Sequence, residues 1–84
     1  MNRQEIKQMW LSLPHSNPID EIKVIKVEKL GEKHWYVERI TDTKDLWSTS
    51  GTNFRNMKDA IDHAHKLKNS STHEGYELFI HGAT

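Results

Sequence analysis

The N-terminal segment carries its hydrophobic residues at helical spacing. They lie at i, i+3, i+4 and i+7, on one stripe of a helix: Ile6, Met9, Trp10 and Leu13. Pro14 ends the pattern, and the proline-containing polar stretch after it continues no regular element. The pattern predicts an amphipathic helix within residues 1–13 and a linker over residues 14–20. Because so short a helix is unstable alone, its apolar stripe must dock on the main body or on a partner.

From residue 21 onwards the pattern changes to that of β-strands. A first run, rich in β-branched residues, extends from Ile22 to Gly31. Its alternation shifts phase between Val24 and Ile25, which indicates either that both faces are partly buried or that a bulge lies there. A tight turn begins at Gly31, and a second strand is predicted from His34 to Ile40.

The second strand alternates Trp35 and Val37 on one face with polar and aromatic residues on the other. We expect Trp35 to be a core residue. A third, short edge strand is predicted over residues 46–49, where Ser50 and Gly51 would end it.

The clearest helix follows these strands. Asn56 is a strong N-cap candidate, with Asp59 three residues later and Phe54 available for a hydrophobic contact before the cap. An apolar stripe runs over almost three turns: Met57, Ala60, Ile61, Ala64 and Leu67. A last strand over residues 76–81 has bulky groups on both faces, which predicts a place inside the sheet.

Together these elements predict one α+β domain over residues 1–84. Their order is α-β-β-β-α-β, with helices packed on an antiparallel sheet. Residues 21–82 form the β-β-β-α-β body, and the N-terminal helix and linker precede it.

Composition and charge narrow the functional classes. The 84 residues contain 12 Lys and Arg against 12 Asp and Glu, so the formal net charge is zero. Nucleic-acid binding is disfavoured, because phosphate-backbone binders usually carry a basic excess. There is no cysteine, which excludes disulfides and thiolate zinc sites. No apolar run reaches the roughly 20 residues that span a bilayer, and the first residues lack a signal-peptide pattern. We expect a cytoplasmic protein with no membrane contact.

Catalytic and metal-binding patterns are missing from the sequence. His63 and His65 are two residues apart in the predicted helix, about 200° around its axis, whereas a helical zinc pair wants i, i+4 spacing. Ser50 precedes a glycine but belongs to no nucleophile elbow, and no glycine pattern resembles a phosphate-binding loop. We expect a protein that is not an enzyme and that uses no metal and no cofactor.

Binding to another protein is therefore the first functional hypothesis. The expected module is a small accessory or regulatory one, and a homodimer is one arrangement it could take. The candidate partner-binding residues are Met9 and Trp10, on the N-terminal helix, and Trp47, on the predicted edge strand. The sequence leaves open whether the helix packs internally or on a partner.

Nucleic-acid binding is the second hypothesis. Its candidate residues surround the second predicted helix: Arg55, Lys58, Lys66 and Lys68. The order α-β-β-β-α resembles that of the double-stranded-RNA-binding domain, whose second helix opens with a basic cluster. Here the helix opens with Lys58 beside an acid, and an extra strand follows it.

The body of the chain resembles a family of small bacterial domains of unknown function. The matching features are Trp35-x-Val37 on a hairpin strand, the capped start of the helix with Ala60 and Ala64 inside it, and Ile80-His81-Gly82. The resemblance covers residues 22–82 and implies a compact β-β-β-α-β domain with no assigned activity. A remoter likeness, in the hairpin and the paired alanines, is to antitoxins of the HicB kind. A third hypothesis is a phage or mobile-element inhibitor of a host nuclease or defence complex.

Overall fold

The fold was analysed in a computed structural model that describes residues 3–12 and 21–81. The elements are helix α1 (Arg3–Leu11), strands β1 (Glu21–Gly31), β2 (His34–Thr43) and β3 (Trp47–Phe54), helix α2 (Met57–Lys68) and strand β4 (Glu77–His81). A single 3₁₀ turn, Ser71–His73, precedes β4. The predicted α+β class and the element order are confirmed. The predicted linker, residues 14–20, lies outside the described residues, as do Leu13 and Gly82.

The four strands form one sheet in the order β3-β2-β1-β4. β1 pairs antiparallel with β2, and β2 pairs antiparallel with β3, whereas β4 runs parallel to β1. The sheet is therefore mixed and mostly antiparallel: the predicted antiparallel pairing is confirmed for β1, β2 and β3, and β4 is the exception. The parallel pairing follows from the connection, because the chain crosses from one edge of the sheet to the other through α2.

β4 lies at an edge of this sheet, so its predicted place inside the sheet is also wrong. The bulky residues on both faces of β4 are explained by core packing and not by a central position in the sheet. Phe79 packs against the core cluster below α1, and Leu78 packs against the cluster below α2. The two helices cover opposite faces of the sheet, so even an edge strand can bury side chains on both sides.

The same two-sided burial explains the phase shift in β1. Val24 belongs to the cluster with α1, and Ile25 belongs to the cluster with α2. Pairing with β2 continues without interruption through both residues. The irregularity lies further along, between Lys29 and Gly31, next to the hairpin turn. Of the two predicted causes, burial on both faces is the one that applies here.

Helix α1 packs on the sheet through its predicted stripe. Ile6 and Trp10 are fully buried and Met9 almost so, together with three residues of the sheet: Ile22, Val24 and Ile40. The helix ends at Leu11, two residues earlier than predicted, and Ser12 donates backbone and side-chain hydrogen bonds to the Met9 carbonyl. The question left open by the sequence is thus answered, since the stripe docks internally.

Helix α2 begins as predicted. The Asn56 side chain accepts a hydrogen bond from the Asp59 backbone N–H at 2.8 Å and donates one to the Asp59 carboxylate at 3.0 Å. This reciprocal arrangement satisfies a backbone N–H that has no partner inside the helix. Ala60 and Ala64 are fully buried, in a cluster with Trp35 and Val37. The core position predicted for Trp35 is confirmed.

Strand β3 is longer than predicted. Ser50 and Gly51 do not end it but pair with Arg39 and Glu38 of β2, and the strand continues to Phe54. Serine and glycine usually break a strand because they bring little side chain to pack. Here Arg39 and Tyr36 of β2 supply the missing contacts.

Candidate protein-contact surface

The direction of the β3 backbone follows from the turn before it. The Thr43 N–H donates to the Leu46 carbonyl at 2.8 Å, so these two residues form the first hydrogen-bonded pair of the β2–β3 hairpin. Hydrogen-bonded and non-hydrogen-bonded pairs alternate along an antiparallel ladder. The even-numbered residues of β3 therefore bond to β2, and the odd-numbered ones aim their N–H and C=O groups away from the sheet. These outward residues are Trp47, Thr49, Gly51 and Asn53.

We call this outer side of Trp47–Phe54 the β3 edge. The strand has no Asp, Glu, Lys or Arg among its eight residues, WSTSGTNF. The five residues from Thr49 to Asn53 are all exposed, and no other described strand pairs with β3 on that side. Natural proteins usually protect such an edge with charges, prolines or a short strand. The β3 edge has none of these three protections.

Arg39 of β2 holds β3 from the face that carries α2. Its guanidinium donates to the Ser48 hydroxyl at 3.0 Å and to the Thr41 hydroxyl at 2.9 Å, and its Nε lies 3.4 Å from the Ser50 hydroxyl. The Thr41 hydroxyl also shares a hydrogen bond with the phenol of Tyr76, in the segment before β4. One side chain thereby orders the two serines of a strand that has almost no apolar face.

Tyr36 of β2 holds β3 from the opposite face. Its ring lies over Gly51, so closely that a Cβ atom at Gly51 would overlap the phenol oxygen and the adjacent ring carbons. The glycine is required for this close approach and not for a turn. An aromatic ring covering a strand glycine replaces the packing that the glycine lacks. The ring of Tyr36 therefore covers the middle of β3 on this face.

The beginning of β3 is tied to α1. The Arg3 guanidinium donates to Asp42 Oδ1 at 2.9 Å, and its carbon lies 4.9 Å from the centre of the Trp47 ring. Asp42 and Trp47 are paired across β2 and β3. Trp47 keeps 39% of its surface exposed, and its neighbour Leu46 keeps 52%. Trp47 begins the β3 edge, and Leu46 lies immediately before it.

The three predicted partner-binding residues separate into two groups. Met9 and Trp10 are part of the core below α1, so they serve packing and are not on a free surface. Trp47 remains exposed, on a strand that is an edge as expected. Sequence reasoning missed Leu46 as a contact residue, since the pattern predicts it only as part of the strand, and it also missed the backbone of the following residues. The signal for the latter was the absence of charge over residues 46–54.

The four predicted nucleic-acid residues do not converge. Arg55 and Lys58 lie at the start of α2, whereas Lys66 and Lys68 lie at its end; all four are exposed. Eight residues of helix separate Lys58 from Lys66, which is about 12 Å along the axis. The carboxylates of Asp59 and Asp62 lie between these ends along the chain. The arrangement gives two small positive regions instead of one basic face.

One buried charge cluster was also missed by sequence reasoning. Lys26, almost fully buried on the α1 face of the sheet, has its Nζ 2.7 Å from Glu28 and 3.9 Å from Glu38. Its signal was a lysine inside a hydrophobic run. Buried pairs of this kind are mostly structural. Within residues 3–12 and 21–80, whose side chains are described, no three His, Asp or Glu residues are grouped so that they could hold a metal ion.

Comparisons with known proteins found no relative. No protein-family description, no curated protein and no solved structure matches the chain. The resemblance to small bacterial domains of unknown function thus stays a prediction. In the part of the chain that the structure describes, no helix has the length and hydrophobicity needed to cross a membrane.

Proposed function

We propose that this chain is a small non-catalytic module that acts by binding another protein chain along the β3 edge. One observation carries the proposal: β3 is an eight-residue edge strand without any charge, and the outward backbone N–H and C=O groups of four of its residues have no strand partner among the described residues. Adding a strand to such an edge is a recurring way in which proteins recognise extended segments.

The side chains around the edge support a specific contact. In strand addition the backbone hydrogen bonds provide affinity, and exposed side chains on alternating positions provide selectivity. Leu46 and Trp47 supply hydrophobic area at one end, and Trp47 belongs to the residue types that dominate binding energy at interfaces. Arg39 and Tyr36 keep the strand extended before binding, which lowers the entropy lost on association.

The proposal also includes a non-catalytic role and a cytoplasmic location. A regulatory or accessory role is favoured over catalysis, because the one hydroxyl–histidine contact among the described side chains, between Thr72 and His73 at 3.3 Å, is exposed at the surface. We take the protein to be cytoplasmic, which is compatible with its lack of cysteine. The separated basic residues of α2 give nucleic-acid binding no comparable surface.

The test uses a single backbone N–H. In Thr49→Pro the outward N–H disappears and the proline ring blocks the edge, while the hydrogen bonds to β2 remain, since proline is tolerated where a strand N–H faces solvent. Thr49→Val is the matched control, because it keeps both the N–H and the shape of the side chain.

Affinity capture from the native host would compare the wild type with both variants, and each retained protein would then be titrated as a purified pair. We expect Thr49→Pro to lose binding and Thr49→Val to keep it. Equal binding by all three chains would contradict the proposal, and so would binding of DNA or RNA at low salt with no protein retained.

A further inference from the structure

We infer that the β3 edge binds a second copy of the same chain, in an antiparallel pair centred on Ser50. The inference rests on the proposed function, because it names the occupant of the same surface. Two-fold symmetry brings the same patch of both copies together, so residue i of one copy lies opposite residue j of the other, and j opposite i. Few registers of an eight-residue strand can satisfy this condition well.

The outward backbone groups select the register. With Ser50 opposite its own copy, Trp47 pairs with Asn53 and Thr49 pairs with Gly51, and each pair occurs twice by symmetry. All four outward residues are then in hydrogen-bonded pairs. Moving the centre to Thr49 or to Gly51 leaves an outward residue at one end of the strand without a partner inside β3. The Ser50 register is thus the one that uses the whole edge.

The side chains in this register are mutually compatible. Leu46, 52% exposed in the single chain, comes opposite the aromatic ring position of Phe54 in the second copy. Hydroxyl-bearing residues occupy the middle, where Ser48 faces Thr52 of the second copy. Cross-strand pairs of these kinds are favourable, and like charges directly opposite are not. No such repulsion arises, because β3 carries no charge.

The residues that flank the strand add charge complementarity. Asp45 lies in the β2–β3 turn, two residues before β3, and Arg55 directly follows β3; both are exposed. In the Ser50 register, the end of β3 that carries Asp45 in each copy lies beside the end that carries Arg55 in the other. The two ends of the symmetric interface therefore each join one acid with one base. This complementarity between the two ends of one strand is what favours a second copy over an unrelated protein.

The resulting dimer has one continuous sheet of eight strands, four from each copy. A contact through one strand and its two flanking turns falls below the roughly 1,200 Å² of a stable interface. We therefore expect a reversible dimer that forms in the micromolar range and dissociates on dilution.

A cysteine placed on the two-fold axis tests the register, and the chain has no cysteine of its own to interfere. In Ser50→Cys the two sulfur-bearing residues face each other in a non-hydrogen-bonded pair, where the Cα atoms are about 4.5 Å apart, within the range of a disulfide. Thr52→Cys is the matched control, on the same strand and the same face. Its two copies are offset by four residues, roughly 14 Å along the strand, which no disulfide spans.

Under mild oxidation we expect Ser50→Cys to become a covalent dimer and Thr52→Cys to remain a single chain. Wild-type protein should show a sedimentation mass that rises from one chain to two with concentration, and Thr49→Pro should stay at one chain. Equal cross-linking of both cysteine variants, or none of either with a wild type that stays monomeric, would overturn the inference.

Two variants of opposite charge provide a second, independent test of the register that does not depend on oxidation. Ser50→Lys places two like charges opposite each other and beside Arg39 of its own chain, so it should lose self-association when alone, with circular dichroism checking that it is folded. Ser50→Glu can pair with Arg39 of its own chain, so its loss of self-association should be smaller. Mixed together, they should recover it as a heterodimer; failure of the mixture to associate contradicts pairing at Ser50.

Failure of this inference differs from failure of the proposed function. A monomeric wild type, with capture of some other protein that Thr49→Pro abolishes, leaves the β3 edge as a binding surface and removes only the second copy. A dimer that Thr49→Pro leaves intact removes the second copy from the β3 edge. The proposed function fails as well only when the captured protein also binds wild type and Thr49→Pro equally.

Discussion

The two edges of the sheet differ in what holds them. β4 has five residues, and its central pair, Leu78 and Phe79, packs into both core clusters, so the strand is fixed by burial on two faces. β3 has eight residues, of which only Phe54 packs against a cluster. The comparison teaches that one edge strand of this sheet is anchored by side chains in both core clusters, whereas the other is held mainly by β2 and has no strand partner on its outer side among the described residues.

An open strand without an apolar face needs other means to stay ordered. The register of such a strand is weakly specified by hydrophobic pattern alone. In β3 the hairpin turn fixes the register, Arg39 bonds the serines from one face, and Tyr36 covers Gly51 from the other. These local contacts order β3 without consuming its outer backbone groups. A strand that is ordered but unpaired is suited to contact.

The largest expected loss of stability comes from truncating Trp10, the α1 residue in the core cluster against which Phe79 of β4 packs. Trp10→Ala leaves a cavity in the cluster that includes Phe79, and we expect it to lower the free energy of unfolding by about 3–5 kcal/mol. Trp47→Ala is the control, because Trp47 is exposed and its contact with Arg3 is worth about 1 kcal/mol or less. Urea denaturation followed by circular dichroism measures both.

Similar losses of unfolding free energy for Trp10→Ala and Trp47→Ala would contradict the difference between the β4 side and the β3 side of the sheet. For that case Trp10→Phe, which preserves most of the buried area, provides an intermediate point on the same scale.

A pair of prolines on β3 tests the assigned backbone directions. Ser50 bonds to β2, so Ser50→Pro removes a ladder hydrogen bond and should cost about 2–3 kcal/mol more than Thr49→Pro, whose N–H faces solvent. Comparing the free energies of unfolding of Ser50→Pro and Thr49→Pro shows directly which of the two N–H groups bonds to β2. If Thr49→Pro proves to be the more damaging change, the outward and inward residues are exchanged and the Ser50 register is wrong.

Much of the fold could be predicted because its signals are local. The Asn56 cap and the alanines of α2 are read from neighbouring residues, and so is the alternation that buries Trp35. Whether Trp10 and Trp47 are buried or exposed could not be predicted in this way. Trp10 lies on an apolar helix stripe and Trp47 on a mostly polar strand, and only the tertiary docking of α1 on the sheet decides which ring is covered.

The length of β3 depended on contacts that are distant in sequence. Ser50-Gly51 has the composition of a turn, and its strand conformation depends on Arg39 and Tyr36, more than ten residues away. The outward-facing residues in turn follow from the turn at Thr43 and from the position of β3 at the end of the strand order. The candidate surface was therefore only partly visible in the sequence, through Trp47 and the lack of charge.

A smaller loss of stability is expected from disturbing the contact between Tyr36 and Gly51. Gly51→Ala forces the ring of Tyr36 to move, and we expect a loss of about 1–2 kcal/mol, since the ring lies near the surface and can shift. Most of this loss should disappear when the same change is made in a Tyr36→Ala background. The coupling energy from the double-mutant cycle measures it. Additive effects would mean that Tyr36 does not cover Gly51.

The most direct test of the open edge is amide hydrogen exchange along β3, followed by NMR at several protein concentrations. In dilute protein we expect Ser48, Ser50 and Thr52 to be protected by their bonds to β2, while Thr49, Gly51 and Asn53 exchange quickly. As the concentration rises, those three outward amides should gain protection in step with self-association. Outward amides that are already protected in dilute protein, or that stay unprotected in concentrated protein, would contradict the account.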